Sequence, residues 1–165
     1  MGRELRKVSK NWEHPKDKNG HYIPLKSGSF SKRLAEWSEE KKQWDIGLRS
    51  DWKGGWEPKE QKYKNMSFEK WTGECPEEKD YMPDWFEEEK THFQMYEDTT
   101  EGTPISPIMP DPESLAHWLA DNKASAFGDM TATYEQWLNT IKKGWAVGAI
   151  LDKNGFKSGV EFIGG

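Results

Sequence analysis

The sequence predicts an α+β fold whose C-terminal part is a small domain of one strand, two helices and a closing β-hairpin. Three observations support this prediction. One segment alternates apolar and polar residues, two later segments repeat apolar residues at helical spacing, and an Asn-Gly pair near the C-terminus separates two short apolar runs. A helix and a Trp-rich irregular region are expected to precede this domain. We therefore divide the chain into residues 1–28, 29–89 and 90–165.

The first predicted element, after an extended N-terminal arm over residues 1–28, is a helix over residues 29–46. The arm mixes charged residues, Pro and Gly with few apolar anchors. At the helix N-terminus Ser29 or Ser31 can act as the cap, and Gly47 is suited to the C-terminal end. Three apolar residues recur near helical spacing on one face, namely Leu34, Trp37 and Trp44.

Residues 50–89 keep no period of two residues or of about 3.6 residues. Gly and Pro interrupt the segment repeatedly, and an aromatic residue recurs every few positions. Ordered loops of this length are uncommon unless they are functional. The segment is therefore interpreted as a binding surface or a flexible lid, with a short helix around residues 67–71.

The C-terminal domain begins with a predicted strand over residues 91–98, with Phe93 and Met95 on one face and Tyr96 on the other. The first predicted helix starts at the candidate N-cap Asp111 and has the apolar stripe Leu115, Trp118 and Leu119. The second predicted helix ends before Gly144 and has the stripe Tyr134, Trp137, Leu138 and Ile141. The pair Asn154–Gly155 then predicts the turn of the closing hairpin.

The composition indicates a folded protein with a small, aromatic-rich core. Hydrophobic residues make up 33%, charged residues 32% and aromatic residues 13% of the 165 residues, and disordered chains are depleted in aromatic residues. The single Cys75 excludes an internal disulfide framework and a thiolate zinc cluster, and it suits a reducing compartment. No apolar run reaches the roughly 18 residues of a membrane span, and no signal-peptide pattern occurs. We therefore expect a cytoplasmic protein without a membrane partner.

The net charge of −5 is unevenly distributed. Residues 1–64 carry 16 basic against 10 acidic residues, and residues 65–113 carry 3 against 14. The two regions either face each other within the molecule or form separate surfaces that meet different partners. Because the protein as a whole is acidic, nucleic acid is the less favoured partner.

Ten Trp residues are the most informative feature, and seven of them lie in a first half that is poor in aliphatic residues. A core role is the default interpretation for Trp37, Trp44, Trp71 and Trp85. The alternative role is docking onto a partner, for which the candidates are Trp52, Trp56, Tyr63 and Trp85, the last being a candidate for either role. Lys residues are interleaved with these rings, so stacking on a single-stranded nucleic acid is a further alternative.

The segment 99–107 combines short hydroxyl side chains, one carboxylate and a Gly in a rigid turn between two candidate strands. One interpretation is a site for a small polar ligand, built from Glu101, Thr103 and Ser106 and walled by Tyr96 and Trp118. The other interpretation is structural, with the hydroxyl groups satisfying backbone atoms of a turn. The sequence leaves both open.

The sequence contains no recognisable catalytic or cofactor motif. The four His residues are scattered, and the spacings typical of zinc sites, of phosphate-binding loops and of the hydrolase nucleophile elbow are missing. We therefore expect no bound metal and no cofactor, and we favour a noncatalytic role.

Residues 81–151 resemble a family of uncharacterised proteins of tailed bacteriophages. The resemblance rests on YMPDW (81–85), QMYEDTTEGTPISPIM (94–109), ESLAHWLADNKASAFGDMTATYEQWL (113–138) and KKGWAVGAIL (142–151). It implies a phage accessory protein made in the host cytoplasm, but it implies no activity. Some members of that family carry paired cysteines suited to zinc, whereas this chain has only Cys75.

These observations lead to three functional hypotheses. The first is a noncatalytic accessory protein that binds a host protein, for example to inhibit a bacterial defence system. The second is a protein that binds or sequesters a small nucleotide-like molecule. The third is an enzyme acting on nucleotides or nucleic acid, which needs an acid–base pair that the sequence does not reveal.

Overall fold

The structure is a computed structural model that describes residues 2–97, 102–146, 149–152, 155–158 and 160, with side chains described for residues 2–97, 102–144 and 160. The chain divides into two compact units. The first unit consists of Met1–Ser27 together with Trp85–Gly165, and the second unit is Gly28–Asp84.

The helices are α1 (Phe30–Asp45), α2 (Phe68–Thr72), α3 (Pro112–Asp121) and α4 (Tyr134–Lys143). The strands are β1 (Arg3–Val8), β2 (Leu48–Ser50), β3 (Trp56–Pro58), β4 (His92–Glu97), β5 (Thr103–Pro104), β6 (Trp145–Ala146), β7 (Ala149–Asp152) and β8 (Gly155–Ser158). Short 3-10 helices lie at Gln61–Tyr63, Glu78–Asp80 and Glu87–Glu89. Helices and antiparallel sheets are both present, so the predicted α+β class is confirmed.

An antiparallel sheet of four strands, in the order β5-β4-β1-β6, organises the first unit. Strand β1 pairs with β4 over its whole length, from Arg3↔Glu97 to Val8↔His92. The other edge of β1 pairs with β6, so β1 is an interior strand. The strand predicted over residues 91–98 is confirmed as β4.

Residues 3–8 form β1, whereas the sequence analysis included them in an extended arm. The strand has no visible apolar period because Arg3 and Arg6 are two of its buried residues. Arg3 donates hydrogen bonds to the carbonyl and the hydroxyl oxygen of Ser125, and Arg6 donates to the carbonyl of Leu25. Buried guanidinium groups with such partners are stable inside a protein, but in a sequence they resemble surface residues.

Helices α3 and α4 pack together and cover one face of this sheet, to which Met95 of β4 contributes. The buried core residues are Met95, Leu115, Ala116, Leu119, Ala126, Trp137, Ile141 and Val160. Both helices were predicted, and their caps explain why they start where they do. Asp111 accepts a hydrogen bond from the backbone N–H of Ser114, and Thr133 forms a reciprocal capping box with Gln136.

The predicted closing hairpin is present as the antiparallel pair β7 and β8, which starts from Asp152↔Gly155. Asn154 of the predicted turn lies outside the described residues.

The second face of the sheet is covered by residues 9–27, which we call the strap. Side chains alternate along β4, so Tyr96 points away from the helices that Met95 contacts. Trp12 of the strap donates its indole N–H to the hydroxyl oxygen of Tyr96 at 3.1 Å. At the other end of the strap, the backbone N–H of Leu25 donates to the carbonyl of Gly102 at 3.0 Å.

The second unit has a small aromatic core between α1, α2 and the hairpin of β2 and β3. Its buried residues are Trp37, Trp44 and Phe68, with Tyr63, Met66 and Trp71 packed against them. Ser29 and Ser67 cap the two helices, which confirms the helices predicted at residues 29–46 and 67–71. The hairpin was not predicted, because strands of three residues are too short to show a period.

No helix in the described part of the chain is long and apolar enough to span a membrane.

We expect Gly102 to hold the strap close to the sheet. A Cβ atom at Gly102, where φ is +54°, would clash with the carbonyl oxygen of Leu25, whereas Gly128 has a φ of +53° and open space around it. The left-handed backbone disfavours Ala by roughly 1 kcal/mol at both positions, and the clash adds about 1–3 kcal/mol at Gly102 alone. Urea unfolding of Gly102→Ala and Gly128→Ala measures the difference. Equal losses in the free energy of unfolding would show that the close approach does not exist.

Candidate functional site

The hairpin of β2 and β3 is the candidate functional site of the second unit, because its tip presents Trp52 to solvent. The Trp52 side chain is 75% exposed. Its backbone φ is +61°, in the left-handed region that residues other than Gly rarely adopt. Strain of this kind persists only where the surrounding structure holds it, and it is concentrated at functional positions.

Short hydrogen bonds hold this turn in place. The backbone N–H of Trp52 donates to Ser50 Oγ at 3.1 Å, and Asp51 Oδ1 accepts from the N–H groups of Lys53 and Gly55 at 2.8 Å each. These two backbone donors keep the pKa of the Asp51 carboxyl below its ordinary value. A Cβ atom at position 55 would lie 2.7 Å from Asp51 Oδ2, so any other residue there would have to displace this carboxylate. The turn is therefore specified by the residues around Trp52.

The Trp52 ring is also supported from below. Trp44, only 4% exposed, stacks on Trp71 with ring centres 5.4 Å apart, and Trp71 lies 6.2 Å from Trp52. We call these three rings the indole row. It runs from the buried core of the unit to the exposed tip of the hairpin, so the exposed ring rests on a packed interior.

One side of the indole row is bordered by Arg49. Its guanidinium group lies 5.5 Å from the Tyr63 ring centre and 5.8 Å from that of Trp71. The same group forms ion pairs with Glu57 at 2.6 Å and Glu60 at 2.9 Å. Arg49 is thus committed to structure within the unit, where it orders the aromatic rings.

The structure brings together some of the predicted partner-binding residues. Trp52 and Tyr63 both contact Trp71, the latter at 4.8 Å between ring centres. Trp56 is 40% exposed and pairs with Ser50 across the hairpin. Trp85 belongs to the first unit, where its ring contacts Trp12 at 5.1 Å.

Two exposed apolar residues were missed by the sequence reasoning. Ile46 is 73% exposed at the end of α1, and Phe86 is 72% exposed in the first unit. Ile46 follows Trp44 by two positions, and residues two apart lie on different faces of a helix. The sequence could therefore have predicted that Ile46 lies off the apolar stripe and is exposed.

Among the described residues, the predicted ligand residues around segment 99–107 lie in different surroundings. Ser106 is buried, accepts a hydrogen bond from the backbone N–H of Met95 at 2.9 Å and donates to the carbonyl of Pro107 at 2.9 Å. Thr103 lies in the edge strand β5, and Glu101 lies outside the described residues. The Ser106 hydroxyl is therefore engaged by the backbone, as the structural interpretation expects.

Tyr96 and Trp118 lie on opposite faces of the sheet. Trp118 packs against the core that includes Met95, whereas the Tyr96 hydroxyl contacts the strap. That hydroxyl also lies 3.1 Å from His14 Nδ1 and 3.0 Å from Gln94 Oε1, to either of which its single hydrogen can be donated. Burial raises the pKa of Tyr96 to about 12, so the phenol stays protonated.

His14 links this network to the backbone of the strap. Its Nε2 lies 2.6 Å from the carbonyl oxygen of Ile23, which can only accept, so Nε2 carries the hydrogen. Burial is the main reason that the pKa of His14 lies below its ordinary value, and the positive charge of Arg6 lowers it further. The imidazole is accordingly neutral at pH 7.

Among the described residues, no group of three or more His, Cys, Asp or Glu side chains is placed to hold a metal ion. Cys75 is exposed.

Comparison of the chain with protein-family models, with curated proteins and with solved structures finds no match. The resemblance to bacteriophage proteins therefore stays a hypothesis, and the function must be inferred from the geometry.

We expect the backbone at Trp52 to favour Gly over Ala. Both Trp52→Gly and Trp52→Ala remove the contact with Trp71, so the difference between them reports on the φ of +61° alone. The left-handed conformation disfavours Ala, so Trp52→Gly should be the more stable variant by about 1 kcal/mol. Guanidinium unfolding, followed by tryptophan fluorescence, gives the comparison. A more stable Ala variant would mean that the turn is not left-handed.

The lowered pKa of His14 predicts a stability that falls in mild acid. A group with a native pKa below its unfolded value of 6.5 binds fewer protons in the native state, so the free energy of unfolding decreases as pH falls below about 6.5. Urea unfolding between pH 7.5 and roughly 5 measures this slope, above the range where carboxylates titrate. His14→Gln should flatten it, whereas His21→Gln leaves His14 and its surroundings in place and should keep it. A slope unchanged by His14→Gln contradicts the assignment.

Proposed function

We propose that this protein is a noncatalytic binding protein that docks onto a partner protein through the hairpin of β2 and β3, with Trp52 as the anchor. The observation that carries the proposal is the combination of 75% exposure with a strained, fixed backbone at Trp52. A large ring in water stabilises nothing in the free protein, and buried Trp side chains are the most frequent energetic anchors of protein interfaces.

Preorganisation strengthens this argument. Ordering a side chain on binding costs about 0.5–1.5 kcal/mol. For Trp52, hydrogen bonds to Ser50 and Asp51 fix the turn, and Trp71 supports the ring before any partner arrives. Binding energy is therefore available to the contact with the partner.

The cations near the hairpin are of two kinds. Arg49 is paired with Glu57 and Glu60, and Lys62 is paired with Glu60. Lys53, Lys59 and Lys64 form no ion pair within residues 28–84, all of which the structure describes. An ammonium group beside an indole suits an apolar pocket with an acidic rim, but several free cations are also what a nucleic acid needs, so the test below includes an oligonucleotide.

The resemblance to bacteriophage proteins suggests the source of the partner. A phage accessory protein acts on components of the infected bacterium, so we propose a host protein, and a component of a defence system is the first class to test.

The test uses the full chain as bait in bacterial lysate, followed by purification of the captured protein and titration. We expect Trp52→Ala to weaken the affinity by about thirtyfold, since the loss of an interface anchor costs about 2 kcal/mol or more. Phe86→Ala is the matched control for the loss of an exposed ring, because Phe86 is 72% exposed but has an ordinary φ of −64°, and it should change the affinity less than twofold.

Three results would contradict the proposal. One is the absence of any captured protein, and another is a partner that binds the Trp52→Ala variant as tightly as the original chain. The third is Trp52-dependent binding to a single-stranded oligonucleotide, which would identify the hairpin as a stacking platform for nucleic acid.

A further inference from the structure

The first unit contains a cleft of about 620 Å³ on the strap side of the sheet. Small-molecule sites in proteins have volumes of about 300–1,000 Å³. The side chains relevant to its chemistry are Trp12, Glu13, His14, Lys16, Tyr22 and Gln94. Five of these six come from the strap, and Gln94 comes from β4.

Aromatic rings form the walls of the cleft. Trp12 and Tyr22 both meet His14 edge to face, with ring centres 5.9 Å and 5.4 Å away. Trp85 supports Trp12 from behind, at 5.1 Å. Tyr22 is 42% exposed, so part of its ring is accessible to a ligand. Walls of this kind accept a flat ring by stacking or edge contacts.

The floor of the cleft has one hydrogen-bond acceptor more than it has donors. The Tyr96 hydroxyl has a single hydrogen and lies 3.1 Å from His14 Nδ1 and 3.0 Å from Gln94 Oε1. His14 Nε2 must donate to Ile23, so Nδ1 of the neutral ring is an acceptor. Two acceptors therefore share one hydrogen. When His14 receives it, Gln94 Oε1 is left for a donor from a ligand.

The amide orientation of Gln94 is fixed by its second contact. Gln94 Nε2 donates to the carbonyl of Ser106 at 2.9 Å, so its oxygen must be the atom that faces Tyr96. A carbonyl oxygen has two lone pairs and can accept a ligand N–H beside the Tyr96 contact.

The rim carries one charge of each sign. Lys16 Nζ lies 4.9 Å from the centre of the Tyr22 ring, and Glu13 is exposed. Neither side chain forms an ion pair with another described residue. An anionic group beside the Tyr22 ring would meet the ammonium group, and hydroxyl groups could donate to the carboxylate.

We propose that this cleft binds a nucleoside monophosphate. The base lies against Trp12 and Tyr22 and donates an N–H to Gln94 Oε1. The phosphate contacts Lys16, and the ribose hydroxyls donate to Glu13. A mononucleotide combines the flat ring, the donor, the hydroxyl groups and the anion that these side chains complement, and its size suits the cleft.

Calorimetric titration of the full chain with AMP, GMP, CMP and UMP tests the proposal. We expect binding of at least one of them, weakened about fivefold or more by Tyr22→Ala, because stacking of a base on an aromatic ring is worth about 1–3 kcal/mol. Tyr22→Phe keeps the ring and should stay within about twofold of the original affinity. Because Tyr22 is exposed, these variants should fold normally, which circular dichroism verifies.

A second pair of variants tests the phosphate contact. Lys16→Ala should weaken the monophosphate about tenfold and leave the matching nucleoside unaffected, since an ammonium group recognises only the anion. Lys10→Ala removes an exposed Lys near the strap's start that does not line the cleft, and it should change neither affinity.

Three results would overturn the proposal. The first is that none of the four nucleotides gives binding heat at millimolar concentration, and the second is that Tyr22→Ala binds the nucleotide as tightly as the original chain. The third is that inorganic phosphate binds as tightly as the nucleotide. Trp52→Ala should retain nucleotide binding, so failure here is distinguishable from failure of the docking function.

Discussion

The hydrogen-bonding groups of large aromatic side chains, the indole N–H of Trp and the hydroxyl of Tyr, constrain how both units are put together. Trp37, Trp44, Trp137 and Tyr96 are among the buried side chains, and the N–H or O–H of such a ring needs a partner. In the first unit, the Trp12 indole meets this need at the Tyr96 hydroxyl and thereby fastens the strap to the sheet. In the second, the Trp37 indole donates to the carbonyl of Gly73 at 3.2 Å, which ties α1 to the end of α2. Aliphatic side chains would fill the same space but would not make these hydrogen bonds. Trp137 differs from Trp12 and Trp37, since its indole nitrogen is buried without a hydrogen-bond partner among the described residues.

The same chemistry explains which rings remain outside. A core of three buried residues in the second unit cannot enclose every indole of a segment so rich in Trp. The rings are instead arranged as the indole row, from Trp44 through Trp71 to Trp52, and the exposed fraction of the side chain increases along it. Trp52 is consequently exposed without being loose. Its ring rests on the unit's interior, and its backbone is held by Asp51, an arrangement that serves an intermolecular contact better than it serves stability.

Helices were the most predictable part of the fold, and buried polar contacts the least. Asp111 identified the start of one helix and Gly144 the end of the other, because capping is local chemistry, readable within a few residues. Strand β1 was not recognised, because its buried Arg3 finds its partner 122 residues away at Ser125, and no local pattern contains that information. The positions of Tyr96 and Trp118 could have been predicted more accurately. Side chains alternate along β4, so Tyr96 and Met95 point to opposite faces of the sheet, and the apolar stripe of α3 places Trp118 on the core side with Met95. The sequence therefore already indicated opposite faces for Tyr96 and Trp118.

The two candidate sites use one principle in two forms. At the hairpin, the carboxylate of Asp51 orders a turn so that Trp52 projects from it. In the cleft, His14 performs the comparable task, because its Nε2 contact with Ile23 folds the strap back on itself and leaves Tyr22 at the rim. In both places a hydrogen-bonded backbone, rather than burial of the ring, determines where an accessible aromatic side chain lies. A chain that has few aliphatic residues to bury can in this way keep aromatic rings at its surface in fixed positions, and fixed aromatic rings are what a second molecule can recognise.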